Sequence, residues 1–257
     1  MCSPKPLIRP PAVHMLTQAI VACLLLLSPL KAFRGNSVQK TAALTNADQL
    51  LVISPGDATS TKTLTDSCAE LAKSGVKRLL LREPRLSKRQ IEKLCSTLSE
   101  LYPRDGLILH ETCAGARSIA AARGLGLHLE STSDWKEERK QFRGKLGVSA
   151  RSESDAQRAA QCGFNWAFLP QWSVGEAAVL RAQRALPEID VIALGGVTPA
   201  SAARLAAGGG RGVAVLGGIF GEGSSPADVR DAASEYIEAL KQVFQHSSFH
   251  NRAGYLA

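Results

Sequence analysis

Short runs of apolar residues recur from Gln49 onward, and longer amphipathic segments separate them. The apolar runs are LLVIS (50–54), RLLLR (78–82), GLILH (106–110), LGLHL (125–129), KLGVS (145–149), WAFLP (166–170), DVIAL (190–194) and GVAVL (212–216). They lack the strict alternation of apolar and polar positions that marks a strand with one wet face. The pattern therefore predicts strands that are buried on both faces of a parallel sheet.

The intervening segments carry the periodicity and the end signals of helices. Helices are predicted within residues 61–75, 87–101, 113–124, 152–163, 175–186, 198–209 and 225–243. Ser87, Ser152, Thr198 and Ser225 are the expected N-caps, because their hydroxyls accept hydrogen bonds from the first turn. Only ESTSDWKEERKQFRG (130–144), after the fourth strand, is weak as a helix.

Eight strand–helix repeats predict a single (β/α)₈ TIM barrel over residues 47–243. An open, doubly wound α/β sheet is the alternative, although the GxGxxG turn typical of its dinucleotide-binding members does not follow the first strand. Residues 244–257 are expected to form a C-terminal tail.

Residues 1–46 differ from the rest and predict a targeting presequence. The segment TQAIVACLLLLSPLKAF (17–33) holds an apolar run of about twelve residues, which is short for a membrane span and suits a signal peptide. RGNSVQKTAALTNA (34–47) is basic, hydroxylated and free of acids, like a transit peptide. The two parts resemble presequences of algal plastid proteins; a bacterial secretion signal, or a cytoplasmic protein with a misassigned start codon, is the alternative. In each case no stable membrane span is expected in the mature chain.

The formal net charge of +8 raises the question of nucleic-acid binding. Five cations precede the first acidic residue, Asp48, and no basic face with aromatic platforms follows it, so we expect no nucleic-acid partner. The six cysteines form no CxxC pair and no zinc-type spacing. A monomer and a homo-oligomer both stay open.

The last two predicted strands end on the same motif. Leu194-Gly195-Gly196-Val197 returns as Leu216-Gly217-Gly218-Ile219. Barrels commonly hold phosphate in the loops after strands seven and eight, and glycine lets backbone N–H groups approach an anion closely. The predicted phosphate-binding residues are therefore Gly195, Gly196, Leu216, Gly217 and Gly218. The alternative is that these glycines only turn tight corners.

Four segments carry a family resemblance: GVKRLLLRE (75–83), GLILHETCAGARSIAAARGLGLHLE (106–130), KLGVSARSESDAQRAAQCGFNWAFLP (145–170) and VIALGGVTPASAARLAAGGGRGVAVLGGI (191–219). In order and spacing they resemble the thiamine phosphate synthase and TenI superfamily over most of residues 49–240. The resemblance implies a (β/α)₈ barrel. It also implies one of two reactions on a small phosphorylated heterocycle. Synthases join hydroxymethylpyrimidine diphosphate to thiazole phosphate with Mg²⁺ and release pyrophosphate, whereas TenI proteins isomerise a thiazole carboxylate phosphate.

The resemblance also implies roles for individual residues. The implied pyrophosphate-binding residues are Arg82, Arg85 and Ser149. The candidate catalytic residues are His128, His110 and Arg82. The candidate Mg²⁺ ligands are Glu111, Glu130 and Asp134. Trp172 is expected either to stack on a heteroaromatic ring or to cover the mouth of the barrel.

This chain departs from the family pattern on the pyrophosphate side. The family's Arg-Glu-Lys reads Arg82-Glu83-Pro84, and the loop after strand six, LPQWSVGEAA (169–178), has lost two threonines and a lysine. The histidine of the strand-five loop is Arg151 here. Three hypotheses follow: a Mg²⁺-dependent synthase, a metal-free isomerase that uses His128 or His110, and a non-catalytic barrel that retains phosphate binding.

Overall fold

The computed structural model describes residues 48–58, 61–130 and 134–253, with side chains up to residue 243. The predicted presequence (1–46) and the side chains of the predicted tail (244–257) lie outside the described residues. Among the described helices, none is both long enough and apolar enough to cross a membrane.

Eight parallel strands form a closed barrel in which each strand pairs with the next and the last pairs with the first. The strands are β1 (Leu50–Ile53), β2 (Arg78–Leu81), β3 (Leu107–His110), β4 (Gly126–Leu129), β5 (Leu146–Ser149), β6 (Trp166–Pro170), β7 (Asp190–Leu194) and β8 (Val213–Val215). Pairing of Val52 with Val215 closes the barrel. The predicted TIM barrel is confirmed, and the alternative of an open sheet is wrong.

Helices follow the strands and pack around the barrel. They are α1 (Thr61–Ser74), α2 (Lys88–Leu98), α3 (Ala116–Arg123), α4 (Trp135–Gln141), α5 (Glu153–Gln161), α6 (Gln171–Val174), α7 (Glu176–Ala185), α8 (Pro199–Ala207) and α9 (Pro226–Ala253). Ser152 and Thr198 cap α5 and α8 as predicted, each accepting a backbone hydrogen bond. Because α9 continues to Ala253, the predicted boundary at residue 243 falls inside this helix.

Two helices lie in segments whose sequence pattern is weak or silent on helix. The weak segment after β4 forms α4, which begins where Asp134 accepts a hydrogen bond from the Glu137 N–H. Trp135, at the first position of α4, is 1 % exposed and packs against Phe164. Burial of this large ring stabilises a helix whose other residues are polar. The single turn α6 follows β6 directly.

Strand register places one row of residues across the barrel interior. His110 pairs with His128, His128 with Gly147, and Gly147 with Trp166. Residues paired in parallel strands point to the same face, so the two histidines and the tryptophan share one inner layer. Gly147 contributes no side chain to this layer, and the Trp166 indole fills the space: a Cβ on Gly147 would lie 1.9 Å from Trp166 Nε1.

Candidate active site

A cavity of about 390 Å³ opens at the carboxyl ends of the strands, where barrel enzymes place their chemistry. Apolar residues such as Phe168 line its inner part. Its polar lining consists of Arg82, His110, His128, Glu130, Ser149 and Arg151. Cationic, neutral and acidic groups therefore meet in one mouth.

A larger cavity, of about 620 Å³, lies beside the first one, and Leu216 lines both. It lies between the loops that follow β1 and β8, and its charged lining is acidic, from Asp57 and Glu222. Carboxylates repel phosphate. The smaller cavity, which holds the cations, is therefore the better candidate for the chemistry.

The first glycine pair follows β7 at the rim of the smaller cavity, since Leu194, directly before it, lines that cavity. Gly195 and Gly196 have φ angles of +83° and +66°, which residues with a Cβ rarely adopt. A Cβ on Gly195 would also lie 2.5 Å from Cδ1 of Trp172, whose side chain is 77 % exposed. Within the described residues, the Gly196 N–H has no acceptor, so it is available to an anion.

The second glycine pair occupies a tight turn after β8. The Leu216 carbonyl accepts hydrogen bonds from the N–H groups of Ile219 and Phe220, at 3.0 and 2.8 Å. No acceptor among the described residues takes the N–H groups of Gly217 or Gly218. Both glycine pairs thus present backbone donors at adjacent strand ends, which supports the predicted phosphate site.

Tyr236 of α9 joins the two glycine loops. Its hydroxyl donates a 2.7 Å hydrogen bond to the carbonyl oxygen of Val197, in the loop after β7. A Cβ on Gly218 would lie 2.3 Å from that hydroxyl oxygen, so the loop after β8 packs directly against the same group. Tyr236 is 3 % exposed, and this buried contact holds the two loops in one arrangement.

Two arginines and a serine supply the donors on other strands. Arg82 follows β2, and its backbone N–H donates to Ser54 Oγ at 2.9 Å while the side chain lines the cavity. Ser149 ends β5, and Arg151 follows it in the cavity lining. Arg85 differs: it is exposed and does not line this cavity, whereas the next residue, Leu86, is buried.

Hydrogen bonds occupy both ring nitrogens of His128. Its Nδ1 accepts from Trp166 Nε1–H at 3.0 Å, and its Nε2 lies 3.1 Å from Ser149 Oγ. The side chain is 1 % exposed, and its ring lies 4.1 Å from that of Phe168, measured between centroids. Burial holds the pKa of His128 well below its usual range, and His110 acts in the same direction.

His110 lies beside His128, with 5.6 Å between the ring centroids. Its Nδ1 accepts from the Thr112 backbone N–H at 3.3 Å and lies 2.9 Å from Thr112 Oγ1. Burial lowers the pKa of His110 to about 4, and the charge of Arg82 adds to the effect. At neutral pH both histidines are therefore uncharged.

The acidic residues after β3 and β4 converge in part. The Glu130 N–H donates to Glu111 Oε1. Burial raises the pKa of Glu111, and the nearby carboxylates of Glu130 and Glu138 act in the same direction. Asp134 instead caps α4 by accepting from the Glu137 N–H at 3.0 Å.

Glu111, Glu130 and Asp134 are the acidic residues that the sequence offers as magnesium ligands. Across the described residues, no group of three or more His, Cys, Asp and Glu side chains is arranged to hold a metal. Magnesium commonly uses one or two carboxylates together with substrate phosphates. Glu130 lines the cavity, and the Glu111 carboxylate lies beside it because one oxygen, Oε1, accepts from the Glu130 N–H. Asp134 does not line the cavity, and its carboxylate caps α4.

Glu83 positions the loop after β1. Its buried carboxylate accepts hydrogen bonds from the N–H groups of Gly56 and Ala58, both at 3.1 Å. Its own N–H donates to Cys113 Sγ at 3.2 Å. The second residue of the Arg-Glu pair is thus structural, and the first faces the cavity.

Sequence reasoning did not assign three residues that the structure brings to the site. Arg151 was noted only as a replacement of the expected histidine, and Trp166 and Tyr236 only as parts of a strand and a helix. Arg151 follows a strand end closely, which is a usable signal in a barrel. The roles of Trp166 and Tyr236 depend on long-range contacts, for which the local sequence holds no signal.

Comparison with known proteins agrees with this geometry. Residues 50–219 match the sequence profile of the thiamine monophosphate synthase family. A thiamine phosphate pyrophosphorylase from Pyrococcus furiosus superposes with a TM-score of 0.64 at 20% identity, over 77% of this chain and 98% of that one. The corresponding protein from Bacteroides thetaiotaomicron gives 0.59 at 22% identity, again over 77% and 98%.

The same barrel also occurs in other enzymes. Tryptophan synthase from M. tuberculosis superposes with a TM-score of 0.60 at 15% identity, over 76% of this chain and 94% of that one. Identities this low establish the fold alone. No curated protein sequence matches significantly. The match to the family profile extends over most of the barrel, and on that ground the chain belongs to the thiamine monophosphate synthase (TenI) family.

Proposed function

We propose that this barrel is a thiamine phosphate synthase that joins hydroxymethylpyrimidine diphosphate to thiazole phosphate and releases pyrophosphate. One observation carries the proposal: the mouth has a wall of backbone N–H donors and, separately, a wall of charged side chains. The glycine wall consists of Gly195, Gly196, Gly217 and Gly218. The charged wall consists of Arg82, Glu130, Ser149 and Arg151, which line the cavity, together with Glu111, whose carboxylate accepts from the Glu130 N–H.

Barrel order sets the two walls apart. In the closed ring, β3 and β4 lie across the axis from β7 and β8. The acidic pair, Glu111 and Glu130, follows β3 and β4, opposite the glycine wall. Arg82 and Arg151 follow β2 and β5, on either side of the acids. A mouth of this kind suits a pair of substrates that each bring phosphate, one with a bound cation.

Each wall has a distinct task in the proposed reaction. The glycine wall binds the thiazole phosphate through backbone N–H groups. The guanidinium groups of Arg82 and Arg151, together with the Ser149 hydroxyl, bind the diphosphate and stabilise the charge that develops as pyrophosphate leaves. Since Pro84 replaces the expected lysine, the positive charge on this wall falls to the two arginines.

Glu111 and Glu130 are the residues that would hold Mg²⁺ against the diphosphate. A magnesium ion there supplies positive charge that offsets the negative charge of the diphosphate. The hydrogen bond from the Glu130 N–H holds the Glu111 carboxylate beside Glu130, so the two residues are adjacent before substrate arrives.

The histidines give less support to isomerisation. A general base needs a free nitrogen lone pair and a pKa near the working pH. In His128 both nitrogens are engaged, and burial holds the pKa of both His128 and His110 well below neutrality. Proton abstraction by either ring is therefore less favourable than a binding or positioning role.

A turnover assay on the purified full-length chain tests the proposal. Hydroxymethylpyrimidine diphosphate and thiazole phosphate are supplied together, with and without Mg²⁺, and pyrophosphate release is followed. Metal-dependent release is the expected result. Turnover of the thiazole carboxylate phosphate alone would assign the chain to isomerisation, and binding of thiazole phosphate without turnover would make it a non-catalytic barrel.

A further inference from the structure

Trp166, His128 and Ser149 form a continuous series of hydrogen bonds inside the barrel. It begins at Trp166 Nε1, 3.0 Å from His128 Nδ1, and continues from His128 Nε2 to Ser149 Oγ, 3.1 Å away. Trp166 and His128 are 4 % and 1 % exposed, whereas Ser149 lines the cavity. The chain thus runs from the barrel core to the anion-binding mouth.

Elementary chemistry fixes the direction of every bond in this chain. An indole N–H can only donate, so His128 Nδ1 must be the acceptor and carries no proton. The neutral imidazole then has its proton on Nε2, which donates to Ser149 Oγ. No further hydrogen bond of Ser149 Oγ occurs among the described residues. The hydroxyl proton of Ser149 is therefore left to be donated into the cavity.

We propose that Trp166 and His128 are positioning residues that fix the Ser149 hydroxyl as a hydrogen-bond donor to a phosphate oxygen at the charged wall. This inference rests on the proposed function, because it takes pyrophosphate as the occupant of that wall. A fully ionised phosphate group only accepts hydrogen bonds, so a fixed donor recognises it and disfavours a ligand that presents an N–H or O–H at the same place.

Two glycines leave room for the Trp166 indole at the start of this series of hydrogen bonds. Gly147 lies between His128 and Trp166 in the strand register, and only the absence of its side chain lets the indole reach across β5. A Cβ on Gly126, in β4, would lie 3.1 Å from Trp166 Cη2. Two adjacent strands therefore leave room for one indole, which gives its N–H a defined position.

The surroundings of His128 also keep its proton in place. Protonation of Nδ1 would set two N–H donors against each other in a buried site, which is costly. The ionisable groups around the ring are His110 of β3, and Arg82, Glu130 and Arg151 at the rim of the same cavity. His110 and the two arginines oppose a positive charge on His128, and Glu130 is the one group among these four that favours it.

The test is a double-mutant cycle on the affinity for inorganic pyrophosphate, measured by calorimetry with Mg²⁺ present. Ser149→Ala removes the terminal donor and is expected to weaken binding about tenfold. Trp166→Phe keeps an aromatic ring, removes the N–H and is expected to weaken binding roughly three- to tenfold. In the Ser149→Ala background, Trp166→Phe should have no further effect. Additive losses, or an unchanged affinity in Trp166→Phe, overturn the proposal.

A second pair of variants guards against simple misfolding. The side-chain amide of His128→Gln can still donate to Ser149, so this variant should keep most of the affinity. His128→Leu should lose as much as Ser149→Ala. Nitrogen NMR of the histidine rings in the wild-type chain should show His128 with its proton on Nε2, and a proton on Nδ1 overturns the proposal. In every variant, affinity for thiazole phosphate should stay unchanged, because the glycine wall is separate.

The turnover assay separates this inference from the proposed function. If the double-mutant cycle shows coupling between Trp166 and Ser149 but the protein shows no turnover, the inference stands and the synthase function is rejected. If the protein turns over but the losses of pyrophosphate affinity in the two variants are additive, only the inference is rejected. The same holds if the protein turns over but binds no measurable pyrophosphate. Absence of both turnover and pyrophosphate binding rejects both.

Discussion

Under the proposed function, the glycine wall and the charged wall bind the same kind of group by different means. The glycine wall uses backbone N–H groups set by positive φ angles and a tight turn, with Tyr236 behind them. The charged wall uses long side chains from four strand ends, positioned by buried neighbours such as the His110–His128 pair. The first is determined by local chain geometry, and the second by packing between distant segments.

This difference explains why the two walls changed so unequally relative to the family pattern. A backbone donor survives most substitutions, provided that glycine is kept where φ is positive. A side-chain donor is lost with one substitution and can be replaced from another strand. Under the proposed function, Arg151, in the loop after β5, stands in such a relation to the lysine position held by Pro84, in the loop after β2. If the walls are separate, a substitution in one wall should leave ligand binding at the other unchanged.

The largest effect is expected from removing a cation of the charged wall. Arg151→Ala should lower kcat/KM of the synthase reaction by about 100- to 1000-fold, since it removes a donor aimed at the departing pyrophosphate. Arg85→Ala is the matched control, because Arg85 is exposed and lies outside the cavity lining. Steady-state kinetics measure both; a larger loss in Arg85→Ala would move the pyrophosphate site away from the cavity.

Lowering the pH should reduce the free energy of unfolding through the buried His110. The folded-state pKa of His110 is about 4, below the usual value near 6.5, so the unfolded chain binds more protons between these values. Stability should therefore be complete above pH ~6.5 and fall as the pH drops toward 4, by up to roughly 3 kcal/mol. Urea unfolding at several pH values measures this. In the variant His110→Gln, the free energy of unfolding should depend less on pH between about 6.5 and 4. An unchanged slope would contradict the assignment of this pH dependence to His110.

A charge placed on the glycine wall should disable that wall alone. A Cβ on Gly217 meets nothing within 4 Å and its φ is not positive, so a side chain fits there. Gly217→Asp should weaken thiazole phosphate binding about 30-fold by repulsion, and leave pyrophosphate binding nearly unchanged. Gly217→Ser, which adds a hydroxyl without charge, should bind as well as the wild type. Calorimetric titration with each ligand measures the two affinities. Equal losses of affinity for thiazole phosphate and pyrophosphate would show that the walls are not separate.

The smallest effect concerns the residue that joins the two glycine loops. Tyr236→Phe leaves the Val197 carbonyl without its donor, which should lower the free energy of unfolding by about 1–2 kcal/mol. Affinity for thiazole phosphate should fall severalfold, since the two loops lose their common contact. Chemical denaturation and calorimetry measure the two effects; a loss of stability with unchanged affinity would limit Tyr236 to a structural role.

Much of this architecture could be predicted from the sequence. Each predicted strand lies within one residue of the observed one at either end, because runs buried on both faces have sharp ends. The glycine pairs were found for the same reason, as they directly follow two such runs. The cap of α4 also had a local signal, since Glu137 follows Asp134 at the spacing of a capping box.

The charged wall was harder to predict because its parts depend on register and burial. The contact between Trp166 and His128 requires that β4, β5 and β6 align with Gly147 between them, and no local pattern specifies this alignment. The place of Arg85 beside Pro84 in the sequence indicates a pyrophosphate ligand. In the structure Arg85 is exposed beside the buried Leu86, whereas Arg151, two residues after the end of β5, lines the cavity.

Simultaneous binding is the most direct test of two separate anion-binding walls in one mouth. Calorimetric titration of thiazole phosphate is carried out into the free protein and into protein saturated with magnesium pyrophosphate. Separate walls predict one thiazole phosphate per chain in both titrations, with affinities that agree within a few-fold. Competition between the two ligands, seen as a loss of thiazole phosphate binding in the saturated protein, would contradict the account.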